Sequence, residues 1–114
     1  MPAFCIALPV LPGKAEALRE FGKTVDNQRR QEFEASERRL GIPKEAWFLQ
    51  STPQGDLALI YLEAREPEKS LGEFMASQDR FDRWFKDQVK EITGVDLNQP
   101  PAGPLPEQII SYGY

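Results

Sequence analysis

The chain has 114 residues, of which 40% are hydrophobic and 28% charged, a composition typical of one globular domain spanning residues 1–114. Its net charge of −4 gives no electrostatic basis for holding a phosphate backbone, so nucleic acid is disfavoured as a partner. Histidine is absent, which excludes Ser-His-Asp triads and histidine-based metal centres, and we expect neither a metal nor a cofactor.

The sequence shows neither a membrane span nor a secretory signal. Its longest apolar runs, such as residues 57–62, are far shorter than the ~20 residues needed to cross a bilayer. The N-terminus lacks the basic region and long apolar stretch of a signal peptide. We therefore expect a cytoplasmic protein with no membrane contact, in which the single cysteine, Cys5, is buried and inert.

The first half of the chain predicts a strand and a long helix. Residues 4–11 are rich in apolar side chains and end at a Pro-Gly turn, which is typical of a strand. Residues 14–40 keep one apolar helical face and predict a single helix, with Glu32, Glu34 and Glu37 on a solvated face. Gly41 and the proline at position 43 predict where that helix ends.

The second half predicts a hairpin, a second helical region and a last strand. Residues 46–52 and 57–65 are strand patterns separated by a turn. Ser70 and Glu73 form a capping-box pattern for a helical region that Ser77 or Asp79 can interrupt and Gly94 ends. Four prolines predict a loop over residues 96–108, and residues 109–114 predict a short final strand.

The resulting order, βαββαβ, predicts a ferredoxin-like α+β fold, with a four-stranded antiparallel sheet and two helices on one face. An even hairpin loop pairs residue 52 with 57, 50 with 59 and 48 with 61. One sheet face then carries the apolar set that suits the helices: Trp47, Leu49, Ala58, Ile60, Leu62 and Ala64. The other face remains too apolar to be left in water, so we expect a second copy to cover it and form a homodimer.

Several segments carry a resemblance to a known superfamily. They are Leu11-Pro12-Gly13-Lys14, Arg39-Leu40-Gly41-Ile42-Pro43 through Trp47-Phe48-Leu49-Gln50, Ser77-x-x-x-Phe81-x-x-Trp84 and Asp82-Arg83-Trp84-Phe85-Lys86. Over nearly the whole chain, the pattern resembles the dimeric α+β barrel superfamily and, within it, an uncharacterised bacterial family. The superfamily includes monooxygenases, haem-degrading enzymes and isomerases, but its haem-using members generally rely on a histidine that this chain lacks.

The candidate ligand-binding residues lie on the second sheet face. Gln50, Tyr61 and Glu63 are polar groups among apolar ones such as Phe48, an arrangement typical of a site for a small apolar molecule. Arg29 follows the apolar helical stripe, where it can bind an anion or cover apolar surface with its stem.

Three functions remain open from the sequence. The first is a homodimeric protein that binds a small apolar molecule. The second is a cofactor-independent enzyme of the monooxygenase or isomerase type, with Tyr61 and Glu63 as candidate catalytic groups. The third is an interaction module whose sheet face serves only assembly.

Overall fold

The computed structural model describes residues 1–113, which form one sheet and a layer of helices. The elements in chain order are β1 (Ala3–Pro9), α1 (Ala15–Asp26), α2 (Arg30–Leu40), β2 (Lys44–Thr52), β3 (Gly55–Glu63), α3 (Pro67–Ala76) and α4 (Arg80–Thr93). The strands form a three-stranded antiparallel sheet in the order β1-β3-β2. Side chains from every helix converge on the same side of this sheet and bury its inward face.

The prediction of a four-stranded ferredoxin-like sheet is wrong. Residues 109–113, predicted to form the last strand, have no regular structure and are exposed, while Tyr114 lies outside the described residues. Ile109 and Ile110 are 80% and 84% exposed. Because these two isoleucines are adjacent, a strand would point them to opposite faces, and a strand this short gains little without burial.

The single long helix predicted over residues 14–40 is also wrong, because two helices, α1 and α2, meet at a turn over residues 27–29. The Asn27 side-chain amide donates to the Lys23 carbonyl at 2.8 Å, and the Arg29 amide donates to the Thr24 carbonyl, one residue beyond the α-helical partner. Local side-chain bonds of this kind compete with helix continuation. The predicted end of the helix is confirmed, since Gly41 caps α2 with a φ of 75°.

The second helical region divides as the sequence allows. Asp79 caps α4 by accepting hydrogen bonds from the amides of Phe81 and Asp82, and Gly94 ends that helix with a φ of 77°. The capping-box prediction at Ser70 is wrong, because α3 begins at Pro67, whose missing N–H costs nothing in the first turn of a helix. Ser70 is buried inside α3 instead.

The hairpin is tighter than predicted, but its faces are those predicted. Thr52 pairs with Gly55, and Phe48 pairs with Leu59 rather than with Tyr61, a slip of two residues. The Thr52 hydroxyl stabilises the short turn by donating to the Gly55 carbonyl at 2.6 Å. Because side chains alternate with a period of two, an even slip leaves every residue on its predicted face. Ala58 and Ile60 are accordingly buried under the helices.

The core is built around one aromatic side chain, Phe85 of α4. Its ring lies within 6.2 Å, centroid to centroid, of one ring from each of the other helices, one from β2 and one from α4 itself. These partners are Phe21, Phe33, Phe74, Trp47 and Phe81, respectively. Edge-to-face and offset aromatic pairs contribute ~0.5–1.5 kcal/mol each beyond their burial. These contacts make Phe85 the point at which all four helices and β2 meet in the core.

A buried carboxylate, Asp82 of α4, ties α2 to the break between α3 and α4. It accepts hydrogen bonds from Ser36 and Arg39 of α2 at 2.5 Å each and from Ser77 at 2.6 Å. Burial alone would raise the pKa of Asp82, but these donors and the Arg39 charge hold that pKa below its usual value. The side chain is therefore an ionised anchor that fixes the position of α2.

The Lys86 ammonium group, one turn further along α4, stabilises the break between α3 and α4. It donates to the carbonyls of Phe74, Met75 and Ser77 at 2.9–3.1 Å, at the end of α3. Burial lowers the pKa of Lys86, and the negative charge of Asp82 partly opposes this. One side chain thus binds three carbonyls at and just beyond the end of α3, where a helix leaves carbonyls without intrahelical partners.

Removal of the anchor should destabilise the fold. We expect Asp82→Ala to lower the free energy of unfolding by ~1–3 kcal/mol, because it leaves the Ser36 and Ser77 hydroxyl groups without their partner and Arg39 with only the more distant Asp79. Urea unfolding followed by circular dichroism measures the change. Asp87→Ala, an exposed change in the same helix, should cost under about 0.5 kcal/mol. Equal losses in the two variants would contradict the anchoring role.

Candidate functional site

Four of the five predicted ligand-binding residues lie together on the sheet face that the helices leave uncovered, here called the open face. Phe48, Gln50, Tyr61 and Glu63 share it because Phe48 pairs with Leu59 and Gln50 with Leu57 in the ladder. The Tyr61 hydroxyl donates to the Glu63 carboxylate at 2.6 Å, and Lys44 lies 3.8 Å from the same carboxylate. Gln50 donates to the carbonyl of its neighbour Ser51 and does not converge with this group.

Arg29 does not join the other four predicted residues. Its guanidinium carbon lies 4.1 Å from the centre of the Trp84 ring, and a nitrogen lies 3.5 Å from Glu32. The structure therefore places Arg29 in the helix layer, on the other side of the sheet. This cation–π contact agrees with the interpretation of an arginine that covers apolar surface. Cys5 also departs from its prediction, because it lies half-buried on the open face, paired with Tyr61.

A mainly apolar concave site lies between the sheet and the helices and was missed from the sequence. This inner cavity has a volume of about 550 Å³ and is floored by β1 and β3 through Phe4, Ile6, Leu8, Ile60 and Leu62. Helices α2, α3 and α4 supply aromatic walls, and residues 94–97 and 99–106 form its roof. The predicted proline-rich loop therefore has a definite place in the fold: it covers a cavity.

Two carboxyl groups, Glu37 of α2 and Glu45 of β2, stand in the wall of the inner cavity. A hydrogen bond joins them, and the Trp47 indole donates to Glu45 at 2.7 Å. Two carboxyl groups can share a hydrogen bond only if one of them carries the proton. The pair is therefore a proton-holding group in mainly apolar surroundings.

The physical environment explains why the pair keeps its proton. Burial raises the pKa of Glu37, and the negative charges of Glu45 and Asp82 raise it further. Burial also raises the pKa of Glu45, against opposing hydrogen bonds from Trp47 and Glu37. Among the described residues, no lysine or arginine forms an ion pair with either carboxyl group, because Arg39, which is near in sequence, is bound to Asp82 and Asp79. The arrangement can bind a hydrogen-bonding or cationic group, or transfer a proton.

A second, wider cleft borders the pair from the outside. It has a volume of about 1350 Å³, lies between the α1–α2 unit and the β2 edge, and carries charged side chains of both signs. Glu37, Glu45 and Trp47 line both spaces. The carboxyl pair therefore stands in a wall shared by a polar outer cleft and the apolar inner cavity. Neither space is lined by Gln50, Tyr61 or Glu63.

The solvated position expected for Glu37 is wrong, and two sequence signals locate the pair. Glu37 falls four residues after Phe33 and three before Leu40, on the apolar stripe of α2. Glu45 falls two residues before Trp47, and therefore on the inward face of β2, once the strand is begun at Lys44 instead of at residue 46.

Comparisons with protein-family models, with curated proteins and with solved structures find no match. The resemblance to the dimeric α+β barrel superfamily therefore stays a prediction. Among residues 1–113, no helix is long and apolar enough to cross a membrane, and no group of three or more acidic or cysteine side chains is placed to hold a metal ion.

The carboxyl pair should make stability depend on pH. An unfolded glutamate loses its proton near pH 4.5, whereas the folded pair keeps one, so the free energy of unfolding should fall as pH rises above 4.5. In Glu37→Gln this fall should flatten, leaving the variant ~1–3 kcal/mol more stable than the wild type at pH 8 and equal to it near pH 4.5. Urea unfolding between pH 4.5 and 8 measures the difference.

The matched control is Glu34→Gln, one turn earlier on the exposed side of α2, which should change stability by under ~1 kcal/mol at every pH. Because Asp82 titrates below its usual value of 3.8, it does not contribute in this window. Parallel pH profiles for the wild type and Glu37→Gln would show that the pair is fully ionised and would remove its special role.

Proposed function

We propose that the protein binds a small apolar molecule in the inner cavity, with the Glu37–Glu45 pair as the polar group that orients it. The observation that carries the proposal is a mainly apolar space of about 550 Å³ with the carboxyl pair among the few polar groups in its wall. Small-molecule sites commonly have volumes of ~300–1,000 Å³ and this mainly apolar lining.

A ligand can enter the cavity because the roof is held in place by few interactions. Val95 and Leu97 pack against the core and attach the beginning of this segment. Beyond Gln99, no hydrogen bond joins the roof to the rest of the described chain. Its four prolines keep it extended without needing backbone partners. Displacement of residues 99–106 therefore breaks few interactions and opens the cavity.

A substitution that fills the cavity should abolish binding. Ile6 lines the floor, and Ile6→Phe adds a ring in the space that the ligand needs. We expect this variant to lose most of the fluorescence enhancement that an uncharged apolar dye such as N-phenyl-1-naphthylamine shows with the wild type. Ile110→Phe makes the same change at a position that is 84% exposed and should leave dye binding unchanged. Equal dye binding by both variants would place the dye outside the cavity and contradict the proposal.

We further propose that a second copy of the chain covers the open face. The middle of that face is apolar: it carries Ala3, Cys5, Ala7, Pro9, Ala46, Phe48, Leu57 and Leu59. Phe48, midway along the edge strand β2, is 60% exposed. Two copies of such a face can meet about a two-fold axis, and they would enclose the Tyr61–Glu63 pair that the enzymatic alternative requires.

The open face alone is smaller than a standard dimer interface, which suggests that residues 109–112 also contribute to the interface. Three strands of this length present a flat patch of roughly 30 by 14 Å, or ~400 Å². A standard interface buries ~800 Å² on each partner. Residues 109–112 can supply the difference, since Ile109, Ile110 and Tyr112 are 80%, 84% and 99% exposed. We therefore assign this segment to the same interface.

A charge on the open face should separate the copies. We expect the wild type to sediment as a dimer and Phe48→Glu as a monomer, because two carboxylates would otherwise be buried in an apolar interface. Leu11→Glu adds the same charge at another exposed apolar position and should leave the dimer intact. A monomeric wild type at all concentrations in analytical ultracentrifugation would contradict the proposed assembly without affecting the inner cavity.

A further inference from the structure

We infer that the ligand of the inner cavity is a lipophilic amine bound as its ammonium ion. The inference rests on the proposed binding function and specifies the chemical class that the site takes. It follows from the charges that line the cavity, from its aromatic rings and from the missing counter-ion of the carboxyl pair.

The ionisable groups that line the inner cavity are all acidic. Among the described residues in its wall, Glu37, Glu45 and Asp96 are ionisable, and none is a lysine or an arginine. An organic acid would enter a space that offers only like charge and would have no cation to bind. An ammonium ion would meet two carboxyl groups, and a charge-assisted hydrogen bond of this type is about twice as strong as a neutral one.

Aromatic rings form much of the same wall. Those that line the cavity are Phe4, Phe33, Trp47, Phe74, Phe81 and Phe85. Aromatic faces attract cations through the ring quadrupole, and cages of such rings are a common way to bind alkylammonium groups. The protein already holds one alkylammonium in this setting, since Lys86 Nζ lies 5.5 Å from the centre of the Phe74 ring.

The carboxyl pair has no cation of its own because the nearby basic groups are engaged elsewhere or face outward. Arg39 is bound to Asp82, and Lys86 is bound to backbone carbonyls. Other charged groups near the pair belong to the rim of the outer cleft, where both signs occur: Arg30, Glu34, Arg38, Lys44, Lys69 and Glu73. An ammonium group arriving from the apolar side would therefore take the place of the shared proton.

Three probes of equal chain length test the inference: octylamine, octan-1-ol and octanoate, measured by calorimetry or tryptophan fluorescence at pH 8. We expect octylamine to bind about tenfold more tightly than octanol and octanoate to bind most weakly, as one buried ion pair predicts. The preference for octylamine should shrink towards pH 5, where the pair gains protons while the amine stays charged.

Variants identify the group that confers the preference. Glu45→Gln and Glu37→Gln should each lower octylamine affinity about tenfold and leave octanol affinity unchanged, whereas Glu34→Gln should alter neither. If the wild type binds octanol and octylamine equally, the amine inference is overturned and the cavity proposal stands. If none of the three probes binds, the binding function itself fails.

Discussion

The Arg39 guanidinium group pairs with two carboxylates, Asp82 and Asp79, where α2 meets α4. Because Arg39 is bound there, it does not neutralise the Glu37–Glu45 pair. Arg39 binds the buried Asp82 and also lies 3.5 Å from Asp79, so α2 is fixed to the capped start of α4. Glu37, on the same helix, receives no cation and instead shares a hydrogen bond with Glu45. The binding of Arg39 to Asp82 and Asp79 thus fixes α2 against α4 and at the same time leaves Glu37 and Glu45 to share a proton.

The missing fourth strand and the inner cavity are two consequences of the same C-terminal sequence. After Gly94 the chain contains four prolines within seven residues, which lack backbone donors and do not join the sheet, so only the short, exposed residues 109–113 remain for an added strand. This segment roofs the space between sheet and helices. A regular packed layer there would bury the apolar floor completely, whereas an extended proline-rich segment leaves room beneath it.

Features that depend on residues within one helical turn were predicted from the sequence more reliably than features that depend on distant residues. Gly41, Gly94 and Asp79 each act within one helical turn, and all three boundaries were predicted and confirmed. The two sheet faces were predicted because side-chain alternation survives an even register slip. The break at Asn27 depends on one side-chain bond competing with a helix, which composition does not reveal.

The candidate site was less accessible to sequence analysis because its partners come from separate elements. Glu37 and Glu45 meet only after the turn at Gly41 folds β2 back against α2. Each lies at a position where the periodicity of its own element predicts an apolar residue. Charged residues are seldom buried at such positions, so Glu37 was interpreted as solvated. The open-face residues were grouped correctly as neighbours, yet they line neither of the two cavities apart from Phe48.

The central claim is that the Glu37–Glu45 pair retains a proton in the folded protein at neutral pH. Carbon-13 NMR of the glutamate side-chain carboxyl groups, followed from pH 3 to pH 10, tests it most directly, with Glu37→Gln and Glu45→Gln to assign the two resonances. The account predicts that at least one of the pair titrates well above pH 7, apart from the exposed glutamates. Titration of both resonances close to the usual value of 4.5 would contradict it.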